Sequence, residues 1–122
     1  HRIAGPLYRF RRIFQSVANG DLTVRTSIRK SDYLHAEAQC LGEMVSALRE
    51  KIGRIEAHHA DMAPQLERLK AAASRGALWE VEQEADRLRA TVEQLAQAME
   101  PFQTKSEPVE PRPTPLPTAA GF

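Results

Sequence analysis

An all-α chain is predicted from the spacing of its apolar residues and from where its prolines fall. Ile3, Leu7, Phe10, Phe14 and Val17 follow one another at steps of four, three, four and three, and Leu34, Ala38, Leu41, Val45, Leu48, Ile52 and Ile55 keep the same alternation. Each set falls on one stripe of a helix, the pattern of a chain that packs lengthwise against partners. Six of the eight prolines lie from Pro101 to Pro117, a density that excludes both a helix and a ladder strand there.

The first helix is predicted over 3–18. Asn19-Gly20-Asp21 ends it, since glycine suits the left-handed residue that closes many helices. Leu22, Val24 and Ile28 then alternate through an extended connector, 19–30. Ser31 as N-cap and Asp32 at the positive end of the helix dipole open a second helix, 31–56. A connector of this length carries the chain back to its starting end, so the two helices stand parallel. Beyond Ile55 the stripe continues through His59, Met62, Leu66, Leu69 and Ala73, loses phase at Ser74-Arg75-Gly76-Ala77, and restarts as Leu78, Val81, Ala85, Leu88, Val92, Leu95, Met99 and Phe102. Residues 57–100 therefore read as a helical hairpin or coiled coil, with helices 57–74 and 78–99, a kink or restart at Pro64, and Trp79 capping the hairpin's packing. Residues 101–122 read as a disordered Pro-rich tail.

Two striped helices cannot enclose a core by themselves. Each apolar side chain gains about 1.5–3 kcal/mol when fully buried, so a dozen left half-wet forfeit more than a small domain's whole stability. A second copy solves this. The expected arrangement is a parallel homodimeric four-helix coiled-coil bundle. Its core is Ile3, Leu7, Phe10, Phe14, Val17, Leu34, Ala38, Leu41, Met44, Val45, Leu48 and Ile52, with Gly20, Leu22, Val24 and Ile28 holding the connector in the outer grooves.

This pattern resembles the HAMP domain, the signal-relay module that follows a transmembrane helix in bacterial receptors. The residues that carry the likeness are Ile3-Ala4-Gly5-Pro6-Leu7 at the start, Gly20-Asp21-Leu22 opening the connector, Val24 and Ile28 within it, Asp32 and Leu34 opening the second helix, and Met44 on its apolar face. They cover 1–56, about half the chain. Where the family usually writes Asp-Glu-Leu-Gly, this sequence has Asp32-Tyr33-Leu34-His35. The resemblance implies a kink at Pro6, a transmembrane helix preceding Ile3, and a bacterial inner-membrane location with this segment on the cytoplasmic side.

Charge agrees with that placement. Residues 1–30 hold seven Lys or Arg against the single acid Asp21, a balance of +6 within a chain of net charge +1. Arg2, Arg9, Arg11 and Arg12 suit either nucleic acid or the cytoplasmic edge of a membrane. No DNA- or RNA-binding motif accompanies them, so no nucleic-acid partner is expected. No stretch approaches the roughly 20 apolar residues of a span. The single cysteine, Cys40, excludes an intrachain disulfide framework.

Catalytic chemistry finds no constellation. His35, His58 and His59 lack the spaced Cys or carboxylate partners of a zinc site, and Glu80, Glu82, Glu84 and Asp86 read as a solvated face. No cofactor and no enzyme activity are expected. His59 precedes Pro64 by five positions, as the phosphoacceptor does in the hairpin of sensor kinases, but Ala60 stands where an acid usually follows. Heptad counting instead places His59 in a coiled-coil layer between Ile55 and Met62. The sequence is therefore read as a relay from an upstream membrane helix to a cytoplasmic signalling partner. Two alternatives stay open: a degenerate or truncated sensor histidine kinase dimerisation region with His59 as phosphoacceptor, and a coiled-coil scaffold with a partner-recruiting tail.

Overall fold

The computed structural model describes residues 4–27 and 34–105, and these are all-helical: α1 (Ala4–Ala18), α2 (His35–Ser74) and α3 (Leu78–Met99), with no strand among the described residues. Ile3, Ile28, Ser31, Asp32 and the tail beyond Lys105 lie outside them. Pro6 sits in the first turn of α1, where the N–H that proline lacks would have had no intrahelical partner.

Two glycines end two helices by the same device. Gly20 has φ +90° and Gly76 has φ +66°. At the first, the Gly20 N–H donates to Val17 O at 2.9 Å and Asp21 N–H to Ser16 O at 2.9 Å; at the second, Gly76 N–H donates to Ala73 O and Ala77 N–H to Ala72 O, both at 3.1 Å. This paired pattern satisfies the last carbonyls of each helix and requires a left-handed residue at one position, which glycine occupies without strain.

No restart occurs at Pro64: the segments read as helices 31–56 and 57–74 belong to one helix of 40 residues, about 60 Å along its path. Proline removes one intrahelical bond, to the carbonyl of Ala60. Both residues are exposed, so water can serve that carbonyl, while Met62 and Gln65 on the opposite side pack toward α3.

In the hairpin, the inward row keeps Val81, Leu88, Leu95 and Phe102 from the heptad count and adds Glu84, Thr91 and Ala98. Val81, Glu84, Leu88, Thr91, Leu95, Ala98 and Phe102 are buried or half-buried, whereas Leu78, Ala85, Val92 and Met99 are exposed. Thr91 is buried, and its hydroxyl is satisfied by donating to Arg87 O at 3.2 Å. Glu84, expected on the solvated face, has a side chain only 15% exposed, with Arg87 Nη1 at 3.1 Å and Arg68 Nε at 3.6 Å. Trp79 does not cap the packing and is exposed. It belongs to the first turn of α3, before the inward row starts at Val81, and the turn is closed instead by its backbone bonds and an Arg75–Glu80 ion pair.

The helix-ending geometry yields a stability test. Gly20→Val places a β-branched residue in the left-handed region and is expected to destabilise the chain by about 1–3 kcal/mol. Gly20→Asn, which tolerates that region, should cost less. Equal melting temperatures for the two variants would contradict the left-handed assignment.

Candidate functional site

The core forms where α1, the connector and α2 meet. Phe10 and Ile13 of α1 are buried against Ala38, Leu41 and Val45 of α2, and Val17, Val24 and Leu34 pack around them. Val45 is 1% exposed and Ile13 is 4% exposed. These contacts use one side of α1. On its other side Leu7 and Phe14 remain 50% and 55% exposed, and Met44 of α2 is 47% exposed. The Phe10 and Phe14 rings lie 6.3 Å apart at 46°, so the buried and exposed sides join through an aromatic pair.

The connector runs along α2 from the level of Arg49 back to that of His35. Arg49 donates to Leu22 O from Nε at 2.8 Å and from Nη2 at 2.5 Å. Farther on, Thr26 approaches Gly42 so closely that a Cβ there would lie 2.8 Å from Thr26 Oγ1. Thr26 and Ser27 then line a groove with His35, Ala38 and Gln39. Because α1 ends beside Arg49 and its Phe10 is buried with Ala38 to Val45, α1 points the same way as α2.

A turn sets the connector's start. The Thr23 N–H and hydroxyl both donate to Asp21 Oδ1, at 2.9 and 2.6 Å. The Thr23 hydroxyl bond, then the Thr23 backbone bond, hold the Asp21 carboxyl below its ordinary value, with a smaller contribution from the Arg49 charge and a partial offset from burial. Any stabilisation this gives is present above the ordinary carboxylate range and is lost as pH falls through the depressed value. Along the α1–connector groove, Arg9, Arg12 and Arg25 stand together with Ser16 and Ser27.

Of the expected bundle core, the structure brings together Phe10, Val17, Leu34, Ala38, Leu41 and Val45. Leu48 and Ile52 are half-buried, and Leu7, Phe14 and Met44 face solvent in the single chain. Leu22 and Val24 of the connector are half-buried, and Gly20 turns the chain into it. His59 is exposed while its neighbour His58 is half-buried, because α3 covers the side of α2 that carries His58, Met62 and Gln65.

Sequence reasoning missed three residues. Ile13 lies three after Phe10 and four before Val17, so it defines a second stripe beside the heptad line. Gly42 interrupts an otherwise helix-favouring run, a signal for close backbone approach. Arg49 carries no local signal, since its partner is a carbonyl 27 residues away. Among the described residues no cluster of three or more metal-ligating side chains occurs. No family model, no curated protein and no solved structure matches the chain.

The Arg49 contact makes the connector's attachment testable. Arg49→Ala removes a charged donor from the Leu22 carbonyl and is expected to cost about 0.5–1.5 kcal/mol. Amide hydrogen exchange should quicken over 22–27 and stay unchanged in the α2–α3 hairpin. Unchanged exchange in the connector would show that Arg49 does not hold it.

Proposed function

We propose that this chain relays a conformational signal from a membrane-spanning helix upstream of α1 to a cytoplasmic output, through a HAMP-like parallel homodimer. The observation that carries the reading is the joint itself: two same-direction helices tied by a connector that runs back along α2, with a remaining apolar stripe of Leu7, Phe14 and Met44. Large exposed apolar side chains in one stripe mark an interaction surface. A second copy of the same pair supplies the matching stripe about a two-fold axis and completes four helices.

The mechanism follows from that geometry. Movement of α1 shifts Phe10 and Ile13 against Leu41 and Val45, and the Phe10–Phe14 contact passes the shift to the neighbouring copy. The connector stays fixed to α2 by Arg49. Because α2 is one helix to Ser74, rotation or tilt at Val45 reaches the hairpin without crossing a joint. The basic first thirty residues, Arg9, Arg12 and Arg25 included, suit the cytoplasmic edge of an anionic membrane. The reading has the chain act at a bacterial inner membrane, on its cytoplasmic side, as a relay without cofactor or catalytic chemistry.

Phe14→Glu buries an unpaired charge in the bundle and is expected to weaken dimerisation at least about 100-fold, equivalent to roughly 3 kcal/mol. Sedimentation equilibrium of wild type and variant reads this directly. A wild-type chain that is folded and monomeric at high micromolar concentration would overturn the architecture.

Exposure of His59 favours a second reading, a degenerate sensor kinase region, because a phosphoacceptor must reach solvent. The relay reading expects no phosphohistidine after incubation with ATP and a partner kinase from the same cell. Acid-labile, base-stable phosphate in wild type, absent from His59→Gln, would favour the kinase reading instead.

A further inference from the structure

Opposite faces of α1 carry opposite chemistry. Arg9 stands two residues from Leu7, and Arg12 and Ser16 stand two residues either side of Phe14, so all three lie about 160° round the helix from the exposed apolar stripe. A groove on that face stays open when a second copy covers Leu7 and Phe14. The connector forms its other wall. Arg25 and Ser27 meet Arg9, Arg12 and Ser16 around a volume of about 250 Å³, lined also by Ile13 and Val24. Sites for drug-sized molecules run from about 300 to 1,000 Å³, so this one suits a single phosphate group with a short substituent.

The groove's own walls supply no carboxylate to its three guanidinium groups. Asp21 is the single acid among residues 4–27, and its carboxylate accepts from Thr23 and feels the Arg49 charge, past the far end of α1. No ion pair joins Arg9, Arg12 or Arg25 to an acid among the described residues. Like charges gathered this way repel, and a bound anion relieves them. Arginine suits phosphate in particular, since its planar fork donates two parallel hydrogen bonds to it, and the two serines offer hydroxyl donors beside it.

We infer that the groove between α1 and the connector is a binding site for one phosphate group, held by Arg9 and Arg12 from the helix and Arg25 from the connector. Its carrier is a small soluble phosphate or the headgroup of a phosphate-bearing lipid. The inference goes beyond the membrane-edge reading, which asks only for diffuse positive charge. It needs neither the dimer nor an upstream span, because the site lies within one chain. Its consequence is regulatory. Arg49 already ties the connector to α2, and a phosphate bridging Arg12 and Arg25 ties the connector to α1, so occupancy stiffens the joint on both sides.

Calorimetric titration of inorganic phosphate into the full chain at constant ionic strength tests this. Binding should saturate at one phosphate per chain. Arg12→Gln and Arg25→Gln should each weaken it about tenfold, whereas Arg11→Gln, on the same helix but outside the groove, should leave it unchanged. Phosphate should also slow amide exchange over 22–27 in wild type but not in Arg25→Gln. If saturable binding appears only with phosphatidylcholine–phosphatidic acid vesicles in a flotation assay, with the same dependence on Arg12 and Arg25, the lipid headgroup is the carrier and the site stands. Equal losses in the Arg11 and Arg25 variants would reduce the groove to diffuse charge and overturn the inference. So would an absence of binding to both probes. Phe14→Glu should retain phosphate binding, so failure of the dimer and failure of the groove are read separately.

Discussion

Burial of Phe10 and Ile13 against Ala38, Leu41 and Val45 is the contact from which the rest of the arrangement follows. Side chains of this size each gain about 1.5–3 kcal/mol on leaving water, and α1, at 15 residues, is marginal as an isolated helix. Packing on α2 is therefore what makes it a helix in place. The contact also fixes direction. With Phe10 level with the start of α2, the chain leaves α1 a full helix length from where α2 must begin, and the connector has to return along the outside. Gly20 starts that return, the Asp21–Thr23 turn directs it, and Arg49 and Gly42 hold it close.

That burial uses only one side of α1, and the division between used and unused sides is what suggests a relay. Phe10 faces inward and Phe14 outward, yet the rings touch. In the proposed dimer a displacement of α1 would change two packings together, one within the chain and one with the neighbouring copy. The long α2 then acts as a rod. It contains Gly53 and Pro64 but remains helical through both.

Much of this was legible in the sequence because heptad spacing is a local, additive signal. The helical segments and the left-handed role of Gly20 are consequences of periodicity and turn chemistry over a few residues, although 31–56 and 57–74, read as separate helices, belong to one, His35–Ser74. Finer facing was not legible. A helix with two neighbours carries an apolar arc wider than one heptad line, so counting from Phe10 to Phe14 overlooked Ile13, and counting along α3 found the inward Val81, Leu88 and Leu95 but also took in the exposed Leu78, Ala85 and Val92 and passed over Glu84 and Thr91. His59 is exposed in the single chain, where α3 covers the side of α2 that carries His58. Thr23, which reads as an ordinary exposed residue, is bonded twice to Asp21. Arg49 and Gly42 act across 27 and 16 residues, on the connector, and no short window contains both partners. A restart at Pro64 follows from its local rule, but the helix continues through it, with Pro64 and Ala60 exposed to water.

The central claim is a parallel dimer, and the chain carries its own reporter for it. Cys40 is the single cysteine and is exposed on α2. A spin label there permits a dipolar distance measurement between copies without any substitution. In a parallel bundle both labels stand at the same level, and the separation should be about 30 Å or less, set by the bundle's width and the label arms. An antiparallel pairing centred on α2 would place the two Cys40 residues about 44 Å apart along the axis, at 1.5 Å per residue. A single short distance is the expected result; a distance beyond 40 Å, or no intermolecular coupling at high concentration, would contradict the account.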